Sequence, residues 1–487
     1  MSSNPTTPLI DLVSIFPRDV SRGEQQYLLA SVILLIVSVV VAFTLDSFWV
    51  ILLPFAFVVM FYLIEEIETV FYLIILVVPY SGAKTIVSGT GAAIQLPTEP
   101  LLWILILVWT TQLIFDPKPL HISKLPTRRI TYALLLFVAT AAFSVVTSTF
   151  PFMSFKRLLN TSWYLIACYF FVVRNCRSLR QVRNIMIASF LAACGAVVFA
   201  LSKHSLTGFS DFTANESVRP LFTEHGSYAE HLTILFGIAA GLSFGTGRFR
   251  RFRILAMAVS AILFAGILFS YTRAAWVGIA CAVLFLIIVR AKELLRFRSF
   301  VMVTAAAIAF AGIGINVGVQ QSVERTATSI TDPTHDLSTL GRIDRWVAGV
   351  NMIRAHPLVG VGFATYPEHY EQYRDKRFIT PISNFYGGVH NDYLQYWAEQ
   401  GIFGLLTWIL FLITLYWIGI KYYFRISDQF VRNALLGTLA GILTHVVHAF
   451  FNDFLLYDKV AVPFWVSVAF VVVLIEYAVS HDLVRER

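Results

Sequence analysis

The feature that most constrains this chain is a series of long apolar runs that recurs along almost all of its 487 residues. A run of roughly 18 apolar residues can cross a bilayer core of about 30 Å as a helix, which satisfies its own backbone polar groups. Hydrophobic residues make up 57% of the chain and charged residues 14%, whereas soluble chains average about 25% charge. This composition excludes a cytosolic enzyme, a disordered protein, a fibrous repeat and a disulfide scaffold. It predicts an all-α polytopic membrane protein.

The apolar runs predict about fourteen transmembrane helices, of which the third is short. The predicted spans are 27–45, 47–64, 67–80, 100–115, 130–150, 158–173, 184–202, 228–245, 254–271, 274–289, 299–318, 401–420, 433–451 and 462–479. They divide the chain into a cytoplasmic segment 1–26, transmembrane helices 1–11 over 27–318, a loop domain over 319–400, helices 12–14 over 401–479 and a cytoplasmic tail 480–487. No cleavable signal peptide is evident, because residues 1–26 are polar and the first apolar run is long enough to stay in the membrane.

Lys and Arg indicate the orientation, because short cytoplasmic connections are enriched in them. With the N-terminus inside, 23 of the 37 Lys and Arg fall on the inner side and only seven in short outer connections. Both termini are therefore predicted to lie inside. The net charge of +8 then needs no nucleic acid, since the cationic clusters face anionic inner-leaflet lipid.

The cysteines and the short motifs argue against several kinds of bond and binding site. Cys168, Cys194 and Cys281 fall within predicted spans and Cys176 in a cytoplasmic connection, so no external disulfide is expected. Zinc, nucleotide and dinucleotide motifs are missing from the sequence. We therefore expect neither a metal nor a cofactor.

The hydrophilic insert 319–400 is the part that lipid does not explain, and the charge pattern places it outside. Within it, residues 341–355 carry Ile343, Trp346, Val347 and Val350 at helical spacing with the charged residues off that stripe, which predicts an amphipathic helix at the interface. An aromatic cluster follows. Its members could stack on sugar rings or anchor the insert at the interface; they are Tyr366, Tyr370, Tyr373, Phe378, Phe385 and Tyr386.

A short motif runs from the end of the insert into the twelfth predicted span. It consists of His390-Asn391, nine further residues, Gly401, two residues and Gly404. This pattern resembles the signature of the O-antigen ligase and O-antigen polymerase superfamily. The stretches Gly341 to Gly362 and Ser270 to Ala274 are also similar to this family. The resemblance covers roughly residues 205–450, and the first 200 residues only through their hydropathy.

The resemblance implies a membrane-embedded glycosyltransferase of the C type in the bacterial inner membrane. Such an enzyme moves a glycan from an undecaprenyl diphosphate carrier to an acceptor on the periplasmic face, as in lipopolysaccharide or exopolysaccharide synthesis. The acceptor could be lipid A core, another lipid-linked glycan or a protein. A metal-independent, inverting reaction is expected. The alternative from another class is a transporter or flippase of the same lipid-linked sugar, which the one-sided insert disfavours.

The reaction needs a base for the acceptor hydroxyl and cations for the departing diphosphate. His390 is the candidate base, because imidazole titrates near neutral pH. Arg273 lies in a very short outer connection between two apolar spans, where a cation is costly and usually functional. The other candidates for substrate binding are Arg219, Arg157, Arg342, Arg345, Asn391 and Tyr393.

A second constellation lies at the outer end of the thirteenth span. His445 and His448, followed by Asn452 and Asp453, are spaced like metal ligands on a helix. A packed polar seam between helices, or a wall of the acceptor cavity, requires less exact geometry than a metal site. Either one is therefore preferred as an interpretation.

Overall fold

The computed structural model describes residues 66–87, 92–115, 126–245, 250–294, 337–375 and 387–485. These residues are mainly helical, and their one antiparallel hairpin consists of β1 (Gly82–Val87) and β2 (Ala92–Leu96). Described residues from Tyr72 onward belong to one compact unit. The predicted all-α class is confirmed.

The helices are numbered here in chain order. The first seven are α1 (Ile67–Val77), α2 (Thr98–Phe115), α3 (Arg128–Val146), α4 (Pro151–Tyr164), α5 (Phe171–Asn175), α6 (Leu179–Ser205) and α7 (Ala214–Val218). The next eight are α8 (His225–Leu242), α9 (Arg250–Leu268), α10 (Arg273–Leu294), α11 (Leu337–Ala355), α12 (Tyr366–Tyr373), α13 (Asp392–Tyr423), α14 (Gln429–His448) and α15 (Asp458–Ser480). A π-helical turn, Leu165–Phe170, joins α4 to α5.

Six described helices are long and apolar enough to cross a membrane, namely α3, α6, α10 as far as Arg290, α13, α14 and α15. Shorter apolar helices cover Ile67–Tyr80, Thr98–Ile114 and Phe252–Leu268. Each predicted span within the described ranges coincides with helical structure. The predicted spans 27–45, 47–64 and 299–318 lie outside the described residues. The chain is therefore a multi-pass membrane protein, while the count of fourteen and the orientation stay predictions.

Helices α8 and α14 cross at the centre of the fold with unusually little space between them. A Cβ added at Gly237 would lie 2.3 Å from the backbone nitrogen of Gly441, and one at Gly241 would lie 2.3 Å from Cα of Gly437. Glycine at these four positions lets the two backbones approach, as small residues do at helix crossings in membranes. The crossing brings the polar side chains of both helices into direct contact.

Helix α15 passes through the same core and contains Pro463. Proline has no N–H to donate, so the carbonyl four residues earlier loses its helical partner. That carbonyl belongs to Lys459, and Nδ1–H of the buried His231 donates to it at 2.6 Å. A histidine on α8 therefore compensates for the proline on α15.

Helix α13 begins nine residues before the predicted twelfth span. Oδ1 of Asn391 accepts a hydrogen bond of 3.0 Å from the N–H of Leu394, and this N-cap starts the helix at Asp392. The helix then kinks at Gly401, where φ is +71°. The N–H of Ile402 donates to the carbonyl of Pro357 instead of to its own helix. The two glycines of the signature thus mark a bend in a helix, and the first one requires a backbone conformation that favours glycine.

The segment before α12 fills the kink. The N–H of Val361 donates to the carbonyl of Ala398 and that of Gly362 to the carbonyl of Glu399, both at 2.9 Å. The carboxylate of Glu399 accepts from the N–H groups of Ala364 and Tyr366, at 2.9 and 3.0 Å. The described end of the insert is therefore fastened to α13 through backbone groups.

Helix α11 confirms the helix predicted for 341–355, but some residues off the predicted apolar stripe are more deeply buried than most of the stripe itself. Ile343 and Val350 of that stripe are only half-buried, whereas Asp344 is fully buried and Arg345 is 8% exposed. The hydroxyl of Tyr370 donates to Asp344, which offsets the cost of burying a carboxylate. Apolar periodicity could not show this, because the buried face is selected by polar partners on other elements.

Two members of the aromatic cluster, Tyr366 and Tyr370, are buried inside the protein. Tyr366 is 0% and Tyr370 3% exposed, and the hydroxyl of Tyr366 donates to the carbonyl of Arg345 at 2.8 Å. Both rings share an apolar core with the buried Val389. Neither stacking on sugars nor interfacial anchoring describes these two tyrosines. Phe378, Phe385 and Tyr386 lie outside the described residues.

Candidate active site

His390 lies on a tight turn directly before α13. Its φ of +56° places a non-glycine residue in the left-handed region, which is uncommon and clusters at functional sites. Val389 on one side is 0% exposed, and Asn391 on the other caps the helix. The turn is thus fixed from both sides, and the His390 side chain stays 23% exposed.

Asp453 faces His390 from the segment after α14. Its Oδ1 lies 3.5 Å from Nδ1 of His390, which is too long for a hydrogen bond but close enough for a strong electrostatic interaction. A Cβ added at Gly388 would lie 1.5 Å from Oδ2 of Asp453, so only glycine there lets the carboxylate approach the turn. Because Nδ1 faces the carboxylate, Nε2 is the ring nitrogen left to handle a substrate proton.

The surroundings set the protonation of His390. Burial lowers the pKa of His390 from its ordinary value, Asp453 raises it, and the positive charges of Arg345 and Arg342 lower it again. The net direction is down. A neutral imidazole, which can accept a proton, is therefore favoured at neutral pH.

Arg345 comes from the buried face of α11, and the half-buried Arg342 precedes it by three residues. A Cβ added at Gly387 would lie 3.5 Å from the guanidinium of Arg345, so this arginine lies against the same turn as His390. Both positive charges also act on the pKa of Glu224, which burial raises first and the negative Asp453 raises further. The structure therefore gathers His390, two arginines and two carboxylates in one region.

Arg273 begins α10 at this end of the bundle and is half-buried. The turn before it binds the first residue of α8, since Nδ1 of His225 lies 2.7 Å from the carbonyl of Ser270 and 3.2 Å from Oγ1 of Thr272. Burial lowers the pKa of His225, and the charge of Arg342 lowers it further. The start of α10 therefore adjoins the Arg342 side of the site.

Two predicted arginines are engaged elsewhere. Arg219 is paired with Glu216 at 3.1 Å, and its side chain is 53% exposed. Arg157 donates to Glu368 at 2.8 Å and to the carbonyl of Ala364, which ties α4 to the segment that fills the α13 kink. Both contacts hold local structure, and neither brings the arginine to His390.

Asn391 and Tyr393 lie beside His390 but use polar atoms for structure. Asn391 is the N-cap of α13. The hydroxyl of Tyr393 donates to the carbonyl of Val446 at 2.8 Å, and its ring packs 4.3 Å from that of Phe450. These contacts dock the first turn of α13 on the last turn of α14.

His445 and His448 lie in a buried polar seam with Glu230 of α8. Nδ1 of each histidine lies 2.5 Å from one oxygen of the Glu230 carboxylate. Across the described ranges, His, Cys, Asp and Glu side chains form no group of three arranged to hold a metal. His445 and His448 thus form the polar seam between helices that was one of the two preferred interpretations.

Sequence reasoning missed the pairing of Asp453 with His390 and the position of Glu224. The signal for Asp453 was its place after an apolar span on the predicted outer side, the same side as His390. Only the packing of α13 on α14 shows that the two meet.

Comparisons with known proteins bear on the family of this chain. Residues 258–409, which are 152 of the 487, match the family model described as O-Antigen ligase (Wzy_C). An uncharacterized protein of Haemophilus influenzae is 25% identical over 208 residues, which are 41% of this chain and 48% of that protein. The chain thus spans about half the length of this relative. The resemblance to the O-antigen ligase and O-antigen polymerase superfamily, predicted from the His390-Asn391 motif, is confirmed over residues 258–409.

Proposed function

We propose that this protein is a glycosyltransferase that moves a glycan from an undecaprenyl diphosphate carrier to an acceptor hydroxyl at the periplasmic face of the inner membrane. The observation that carries the proposal is the pairing of His390 with Asp453 in the neighbourhood of Arg342 and Arg345. The match of residues 258–409 to the O-antigen ligase model supports the same reaction class.

The proposed step is a single displacement at the anomeric carbon of the donor. The acceptor oxygen forms the new bond, the bond from that carbon to the diphosphate oxygen breaks, and the acceptor proton passes to Nε2 of His390. Asp453, facing Nδ1, stabilises the resulting imidazolium. One displacement inverts the anomeric configuration.

The charge on the departing diphosphate is the second requirement. Arginine binds phosphate through two parallel N–H donors and stays charged at any relevant pH. Arg342 and Arg345 supply two guanidinium groups beside His390, and Arg273 stands at the neighbouring helix end. These three are the proposed diphosphate ligands. Arg157 and Arg219 are weaker candidates, because both pair with glutamates.

The test uses the purified protein in lipid nanodiscs with a defined lipid-linked oligosaccharide, alone and with lipid A core. We expect either a longer lipid-linked chain or a glycosylated core, which separates polymerase from ligase. His390→Ala should abolish transfer and leave donor binding within about twofold, because a general base contributes roughly 10²–10⁴-fold to the rate. His356→Ala is the matched control, since His356 is exposed and, among the described hydrogen bonds, its side chain contacts only the hydroxyl of Tyr373.

Equal transfer by His390→Ala and the wild type would remove the base role. A wild-type protein that carries the lipid-linked glycan across vesicle membranes and forms no product would instead favour the transporter alternative.

A further inference from the structure

Glu230, His445 and His448 form a cluster that the proposed reaction does not use, and it lies wholly inside the protein. Their side chains are at most 1% exposed, so no substrate reaches them. Oε1 of Glu230 lies 2.5 Å from Nδ1 of His445, and Oε2 lies 2.5 Å from Nδ1 of His448. One carboxylate on α8 therefore holds two histidines, one helical turn apart, on α14.

The two short contacts differ in geometry. A carboxylate accepts only, so Nδ1 of His445 carries the hydrogen that it donates to Oε1 of Glu230, whereas Nδ1 of His448 meets Oε2 at 2.5 Å without the geometry of a hydrogen bond. A buried carboxylate is costly unless polar partners surround it, and here each oxygen faces one imidazole. Removing either histidine takes a polar partner from this buried carboxylate. The cluster is thus a stiff link between two helices rather than a solvated pair.

The cluster reaches the candidate site through α14, which carries its histidines, and through α13, which His445 faces. His448 ends α14, and Asp453 follows it by five residues. His445 faces α13, where its Nε2 lies 3.9 Å from Oδ2 of Asp392, two residues after His390. The N–H of Asp392 also donates to the carbonyl of Ala449 at 2.9 Å. Asp453 therefore follows the helix end that this cluster holds, and His390 precedes a helix that is bonded to the same end.

We infer that Glu230 is a positioning residue, which clamps the end of α14 through His445 and His448 and so sets the separation of His390 and Asp453. The inference rests on the proposed function. The two partners lie 3.5 Å apart, close to the limit of a hydrogen bond, so a small displacement of either turn changes their interaction. Displacements of about 1 Å can cost on the order of 10²-fold in rate.

The first variant is Glu230→Gln, which keeps the shape of the side chain. Its amide offers one acceptor and one donor, so it can bond one histidine N–H but places its own N–H against the other. We expect kcat to fall by about tenfold or more while KM for the donor changes less than about twofold. Thr438→Val is the matched control, because Thr438 is a fully buried hydroxyl on α14 that bonds only the carbonyl of Ala434 among the described contacts.

A second pair of variants serves if Glu230→Gln does not fold. His448→Asn keeps an N–H donor near the position of Nδ1, whereas His448→Leu removes it at similar volume. We expect His448→Asn to retain most of the activity and His448→Leu to resemble Glu230→Gln. Equal activity of the two His448 variants would overturn the inference.

The decisive readout is the titration of His390, measured without any donor. Diethyl pyrocarbonate modifies neutral imidazole, so the pH dependence of the modification of His390, followed by mass spectrometry, reports its protonation. The charged groups facing His390 are Asp453, Arg345 and Arg342. If Asp453 moves away in Glu230→Gln, the pKa of His390 falls and the midpoint moves to lower pH, as it should in Asp453→Asn.

An unchanged midpoint in folded Glu230→Gln would overturn the inference, even if kcat fell. A wild-type protein that transfers no glycan, combined with a shifted midpoint in Glu230→Gln, would sink the proposed function and leave the positioning role standing. The two failures are therefore distinguishable.

Discussion

At the scale of single residues, the pKa of His390 depends on neighbouring charges of both signs. Asp453 raises its pKa, whereas burial, which has the largest effect, and the two arginines Arg345 and Arg342 lower it. A base works in its neutral form, so the rate should fall as the pH drops through the pKa of His390. The acidic limb of the rate profile therefore reports this balance.

Neutralising opposite charges should move that limb in opposite directions. Asp453→Asn removes the group that raises the pKa of His390, so the limb should move to lower pH. The maximal rate should also fall by about tenfold or more, because the imidazolium formed in the reaction loses its partner. Arg342→Gln removes a positive charge, so the limb should move to higher pH. The measurement is kcat/KM against pH, and limbs that move together would contradict the assignment of His390 as the base.

Arg273 offers a second prediction at this scale. Arg273→Ala should raise KM for the lipid-linked donor or lower kcat/KM by about tenfold or more, because a charge-assisted contact to phosphate is lost. Arg273→Lys should recover part of the loss, since it restores the charge but not the forked geometry.

The control for Arg273 is Arg425→Ala, because Arg425 is a half-buried arginine just beyond the far end of α13 that bonds the carbonyl of Arg485. The measurement is the rate of glycan transfer at increasing concentrations of the lipid-linked donor. Full activity of Arg273→Ala would show that this arginine only faces lipid head groups.

At the scale of elements, the crossing of α8 on α14 holds the site together. The crossing depends on the absence of side chains at Gly241 and Gly437, where an added Cβ would lie 2.3 and 2.7 Å, respectively, from the opposing backbone. Overpacking of this kind forces backbone shifts that cost about 1–3 kcal/mol or more. Such shifts would also separate Glu230 from the two histidines of α14.

We therefore expect Gly241→Val to lower the thermal midpoint of the purified protein and to reduce transfer. Gly82→Ala is the control, since an added Cβ there meets nothing within 4 Å. The measurement is a thermal unfolding curve in detergent together with the transfer rate. An unchanged midpoint in Gly241→Val would mean that the helices can separate at little cost.

At the scale of the whole molecule, the two ends of the described bundle carry different chemistry. One end brings together the starts of α8, α10 and α13 and the end of α14, with His390, Asp453 and the arginines. The opposite end is fastened by Arg290, which donates to Asn433 at 3.0 Å, and by a β-bridge between Ile426 and Val484. Which of the two ends faces the periplasm stays a prediction from the Lys and Arg pattern.

The arginines near His390 lead to a prediction about metal ions. If guanidinium groups neutralise the departing diphosphate, glycan transfer should survive excess chelator, because arginine needs no divalent cation to bind phosphate. The measurement is the initial rate with and without EDTA, followed by added magnesium or manganese. Loss of activity that either metal restores would contradict the proposal and would point to a metal bound with the substrate.

The sequence by itself determined the features that depend on local composition and spacing. Apolar runs are long because lipid demands them, so the helices of the membrane region followed directly from hydropathy. The spacing of His390-Asn391, Gly401 and Gly404 revealed the family resemblance. The N-cap of α13 explains the asparagine, and the kink of α13 explains the first glycine. The candidate base and the arginines Arg342, Arg345 and Arg273 were all visible at this level.

The tertiary structure alone decided which of those residues meet. Asp453 and His390 are 63 positions apart, and Glu230 and His445 are 215 apart, so no periodicity connects them. The same holds for α11, whose buried face is selected by a tyrosine hydroxyl on α12 rather than by its own apolar stripe. Polar contacts of this kind satisfy buried charges from distant parts of the chain, and their geometry exists only once the helices have packed.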